Sequence, residues 1–123
     1  MPGPVVLVVD DEPQVLDTLS AFVTRGGFDV VGMLRFEDAR RRIADDPPDM
    51  LITDVRLGKY NGLQLVLQMR DAKPDSRIIV LSAYDDPTLR EEAARSGATY
   101  LVKPVGRQEL VEALGGPHET DAP

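Results

Sequence analysis

The sequence predicts a doubly wound α/β domain, a five-stranded parallel sheet covered by five helices on its two faces. Two observations carry that expectation. Short apolar runs recur five times along the chain, and each is followed by a segment whose apolar residues repeat at helical spacing. The runs are near-continuous rather than alternating, which is the pattern of strands buried on both faces. Length agrees with it: at 123 residues and 42% hydrophobic composition, the chain can bury roughly two-thirds of its unfolded surface in one core.

The first strand is expected at Val5–Val9. The helix after it opens on Pro13, a favoured first-turn residue, and carries Val15, Leu16, Leu19, Phe22 and Val23 on one face before Arg25 and Gly26-Gly27 stop it. Val30–Met33 forms the second strand. Phe36 to Ala44 follows as a helix with Phe36, Ala39 and Ile43 inward and Arg40-Arg41-Arg42 outward, ended by the Asp45–Asp49 stretch with Pro47-Pro48. The third strand is Met50–Thr53, and its helix runs from about Gly62 to Ala72 until Lys73-Pro74 closes it. After the fourth strand, Ile78–Leu81, Asp86 can cap a helix whose first position is Pro87 and whose end is marked by Arg95 and Gly97. Tyr100–Val102 is the fifth strand and Arg107 to Leu114 the last helix. Residues 1–114 thus form one expected domain. Residues 115–123, GGPHETDAP, lack apolar periodicity and read as a disordered tail or the start of a linker, which leaves His118 outside the fold.

Composition excludes several classes of function. The chain has 21 acidic and 14 basic residues, a formal charge of −7, and Arg40–Arg42 is its one basic run, a poor footprint for nucleic acid. Without cysteine there is no disulfide, thiolate metal site or cysteine nucleophile, and a lone histidine excludes multi-histidine metal sites. No apolar run approaches the length of a bilayer span, so no membrane partner is expected and the location expected is cytoplasmic.

In doubly wound sheets, ligands bind at the carboxyl ends of the strands. There the sequence places Asp10, Asp11 and Glu12 after the first strand, Asp54 after the third, Ser82 after the fourth and Lys103 after the fifth. Each has a plain alternative. Asp11 and Glu12 can cap the helix at Pro13, Asp54 can form an Asx turn, Ser82 can satisfy loop amides, and Lys103 can be an exposed amine before a turn proline. Convergence favours chemistry, because three carboxylates repel one another until a hard divalent cation joins them, and Mg²⁺ is the natural candidate. An acidic crevice with an opposing lysine suits a phosphoryl group, and an ionised Asp54 is already a nucleophile at neutral pH.

These residues lie in VVDDE at Val8–Glu12, LITDV at Leu51–Val55, Asn61-Gly62-Leu63, LSA at Leu81–Ala83 and Lys103-Pro104. On them the chain closely resembles the receiver domain of two-component response regulators, over about Val5 to Leu114. The resemblance implies a flavodoxin-like strand order, 2-1-3-4-5, and a phosphorylation-dependent signalling switch rather than an enzyme. Asp54 would accept the phosphoryl group from a sensor histidine kinase or histidine phosphotransfer protein. Asp11, Asp54 and the Arg56 carbonyl would ligate Mg²⁺, with Asp10 acting mainly through water. Lys103 would pair with the phosphoryl group, Ser82 would swing to it, and Tyr100 would turn into the space vacated, changing the last helix–strand–helix face presented to a downstream effector. A cis Lys103–Pro104 bond is implied as well.

Leu57-Gly58 departs from the Met-Pro that receivers often carry, and Val105 stands where phenylalanine often follows the proline. Rival functions fit less well. A Mg²⁺-dependent aspartate phosphatase would want an acid two residues after its nucleophile, and that residue is Arg56. A degenerate interaction module would have lost site residues, and a flavin-type cofactor binder needs a hydroxyl- and glycine-rich phosphate loop where Asp10-Asp11-Glu12 would repel phosphate.

Overall fold

The structure, a computed structural model, describes residues 3–118. In chain order the elements are β1 (Val5–Val9), α1 (Pro13–Arg25), β2 (Asp29–Met33), α2 (Phe36–Asp45), β3 (Met50–Asp54), β4 (Arg56–Leu57), β5 (Tyr60–Asn61), α3 (Leu63–Ala72), β6 (Arg77–Ser82), α4 (Pro87–Arg95), β7 (Thr99–Val102) and α5 (Arg107–Ala113). The main sheet is parallel throughout, ordered β2-β1-β3-β6-β7. Counting main-sheet strands alone, that is the expected 2-1-3-4-5 order.

Side chains alternate across each central strand, so a strand covered on both sides must be apolar at every position. Val6 and Val8 of β1 face a core formed with Leu16, Leu19 and Val23 of α1 and Leu110 of α5, whereas Leu7 and Val9 face one formed with α2, α3 and Ala93 of α4. The apolar runs in the sequence are a record of this two-sided burial. Among the described residues, no helix is long and apolar enough to cross a membrane.

Two features depart from the expected outline. The loop after β3 contains a short antiparallel hairpin, Arg56 pairing with Asn61 and Leu57 with Tyr60. Its strands are too short for a period-2 signal, which hid them in the sequence. The first residues of the expected tail also lie against the domain: the His118 amide donates to the Gly26 carbonyl at 2.7 Å, and its ring tilts over Phe28 at 6.0 Å. An aromatic neighbour and a free carbonyl after α1 supply what helical periodicity cannot reveal. Residues 119–123 lie outside the described part. In α2, Arg40 pairs with Glu37 and Arg42 with Asp46, so two members of the basic run are engaged by acids of their own neighbourhood.

Candidate functional site

Between β1 and β3 the chain order reverses direction across the sheet, one neighbour leading to β2 and the other to β6. Diverging loops leave a crevice at such a switch point. Asp10 follows β1, Asp54 closes β3, Ser82 closes β6 and Lys103 follows β7, so four parallel strands deliver their last residues to one end of the sheet. An open cavity of about 520 Å³ there is lined by residues that include Asp11, Asp54, Arg56, Ser82 and Lys103.

Lys103 Nζ donates to Asp10 Oδ2 at 2.8 Å and to Asp54 Oδ2 at 3.0 Å. Asp10 is fully buried and Asp54 nearly so, at 0% and 9% exposure. Carboxylate oxygens of Asp10, Asp11 and Asp54 lie within 4.8 Å of one another. Three formal negative charges against one ammonium leave the group anionic, and oxygen donors at this spacing suit a hard divalent cation.

The two ends of the ion pair respond differently to their surroundings. Burial pushes the Asp54 carboxyl above the ordinary carboxylate range; the bond to Lys103 opposes this, and the Asp10 charge adds to it. Burial alone would pull the Lys103 ammonium down, but its bonds to Asp10 and Asp54 outweigh that and hold it above the usual lysine value. The asymmetry arises because one lysine serves two carboxylates. A carboxyl raised in the folded state binds its proton more tightly there, so at neutral pH its ionised form costs stability. Asp54→Asn is therefore expected to raise the urea unfolding midpoint at pH 7 in EDTA, with the advantage shrinking as the pH falls through the carboxylate range. An unchanged or lower midpoint at pH 7 would contradict that sign.

The plain alternatives separate cleanly. Glu12 is the N-cap residue of α1 but makes no side-chain cap, and Asp11 instead accepts the Gly58 amide at 3.0 Å. Asp54 does make the Asx-type contact, accepting from the Arg56 amide at 3.3 Å, while its other oxygen meets Lys103. Ser82 Oγ accepts from the Tyr84 amide at 3.2 Å, a local turn contact made on the cavity wall. The Lys103–Pro104 peptide is cis. Tyr100, the residue expected to turn inward, lies inward here, 7% exposed. Its hydroxyl donates to the Tyr84 carbonyl at 2.6 Å, and the Arg90 guanidinium sits 4.7 Å over its ring. These two contacts hold the ring in its inward position.

Gly62 has a structural part that motif reading alone did not assign. Its amide donates to the Val55 carbonyl at 2.6 Å, and a Cβ there would lie 2.0 Å from the Asp54 carbonyl oxygen. Only glycine lets the start of α3 approach Asp54 so closely.

The match to the family described as response regulator receiver domain spans residues 6–115. Among curated relatives, the chain is 35% identical over 115 residues to the DNA-binding transcriptional regulator NtrC of Azospirillum brasilense, covering 93% of this chain and 24% of that protein. It is 36% identical over 110 residues to the transcriptional regulatory protein KdpE of Mycobacterium tuberculosis, covering 89% and 48%. The chain thus spans about a quarter to a half of these relatives' length. A receiver domain protein from Methanospirillum hungatei shares the fold with a TM-score of 0.84 at 21% identity, covering 92% of this chain and 91% of that one. A response regulator from Burkholderia pseudomallei, solved with a phosphorylated aspartic acid, calcium ion and citrate, superposes with a TM-score of 0.82 at 29% identity, covering 90% and 66%. With the family match running through all five main-sheet strands and the acidic crevice at their carboxyl ends, this chain belongs to the receiver domains of two-component response regulators, the phosphorylation-dependent switches of those systems.

Proposed function

We propose that Asp54 is the phosphoacceptor of this receiver, with Mg²⁺ held by Asp11, Asp54 and the Arg56 carbonyl and with Asp10 acting mainly through water. The observation that carries the reading is the Lys103 ammonium bridging Asp10 and Asp54 beside Asp11, which puts a nucleophile, a second carboxylate and a counter-charge on one open cavity, with the Asp10 carboxylate buried behind them. A phosphohistidine of a sensor kinase or phosphotransfer protein is the donor. An Asp54 oxygen attacks phosphorus as the P–N bond breaks, the bond's electrons leave on the imidazole nitrogen, and that nitrogen takes a proton. Bound Mg²⁺ supplies charge neutralisation on the phosphoryl oxygens. Lys103 exchanges its Asp54 contact for the phosphoryl group, and Ser82 gives up the Tyr84 amide to donate to it. Releasing that amide loosens the Ser82–Asp86 turn on which the Tyr100 hydroxyl rests, and the altered α4–β7–α5 face carries the signal to an effector. Such signalling is a shift of population between two arrangements.

Borohydride reduction of the labelled protein tests the assignment, since it converts an aspartyl phosphate to homoserine at the modified position. After treatment with Mg²⁺ and acetyl phosphate, peptide mass spectrometry is expected to find homoserine at position 54. Homoserine at 10 or 11 instead would overturn the assignment.

A further inference from the structure

We infer that the backbone N–H of Gly58, aimed by the β4–β5 hairpin, is a positioning group for Asp11 and strengthens the acidic cluster's hold on a divalent cation. This rests on the metal reading given above. Asp10 and Asp54 are pinned by Lys103, but Asp11 is exposed and lies in the loop after β1. Its hydrogen-bond partner among the described residues is the Gly58 amide, 3.0 Å from Oδ2 and 47 residues away in sequence. An unrestrained carboxylate loses rotamer freedom when it takes a metal. A fixed neutral donor removes part of that loss beforehand, occupies one oxygen and, unlike a second lysine, leaves the negative charge for the cation.

The donor is fixed because the hairpin is held on several sides. Leu57 is buried at 3% exposure, the Tyr60 ring stacks on Phe36 at 4.5 Å and 10°, and the Gly62 amide ties the exit of the hairpin to Val55. At the tip Gly58 adopts φ +62°, the left-handed region that glycine occupies freely. A proline at this position could supply neither that φ nor an N–H. The departure at Leu57-Gly58 thereby becomes a gain of one hydrogen-bond donor facing the acidic cluster.

Replacing Gly58 by glycolic acid, an amide-to-ester change, deletes the N–H without closing off the backbone conformation. Gly58→Ala is the companion variant: it keeps the N–H and its Cβ would meet nothing within 4 Å, but φ +62° strains alanine, so its urea midpoint is expected to fall while the donor remains. Mg²⁺ dissociation constants come from calorimetry, and urea midpoints in EDTA report the fold separately. The ester is expected to bind Mg²⁺ about tenfold more weakly, the scale typical of losing a partner that orients a metal ligand, while Gly58→Ala stays within about twofold of wild type. Wild-type affinity in the ester overturns the inference, whether or not its midpoint falls, and so does an equal loss in both variants. If the wild type itself binds no Mg²⁺, the metal reading fails with it, an outcome distinguishable from failure of the Gly58 inference alone.

Discussion

Treated with Mg²⁺ and acetyl phosphate, the wild-type protein is expected to gain one phosphoryl group by intact mass, and Asp54→Asn none. Asparagine keeps the shape and the contact to the Arg56 amide but removes the negative oxygen that attacks phosphorus. The neighbouring acids are poor substitutes. Asp10 is fully buried against Lys103, and Asp11 is exposed and makes no ion pair with a lysine among the described residues. The expected effect is therefore loss of labelling rather than a slower rate. Asp54→Asn that labels as fully as wild type would end the proposed mechanism.

The second large effect is on stability. Mg²⁺ at about ten times its dissociation constant should stabilise the folded state by about 1.4 kcal/mol through mass action, which for a domain of this size is a rise of about 5 °C in melting temperature. Asp11→Ala is expected to abolish the rise. That variant is informative because Asp11 is exposed and makes no ion pair among those of the described residues, so its loss removes a ligand without orphaning a buried charge. The sequence suggested three carboxylates repelling one another in the metal-free site. Lys103 instead lies between two of them, and the gain from metal is correspondingly smaller than a bare acidic cluster would show. A melting temperature indifferent to Mg²⁺ over the millimolar range would count against the metal site.

The sequence made the main sheet legible for a physical reason: strands covered on both faces must be apolar at consecutive positions, and their helices carry one apolar stripe each. Observed boundaries of β1, α1, α4 and the start of α5 coincide with those expected from Pro13, Pro87 and the flanking glycines, because cap and first-turn preferences act locally. The candidate site was equally legible, since Asp10, Asp54, Ser82 and Lys103 stand at strand ends, and parallel strands bring their ends together whatever lies between them. Less legible was the segment from Arg56 to Asn61, where two-residue strands have no period to detect.

By itself, then, the sequence determined which residues can meet: strand ends and helix starts are set by local preference and burial, and the topology of a doubly wound sheet does the rest. Only the tertiary structure decided how they meet. That Lys103 reaches Asp10 across 93 residues, that Gly58 turns its amide to Asp11, and that Tyr100 finds the Tyr84 carbonyl and the Arg90 guanidinium are results of packing. Such contacts depend on distances and directions between separate elements, which arise only when the two cores close on the sheet and exclude water from it.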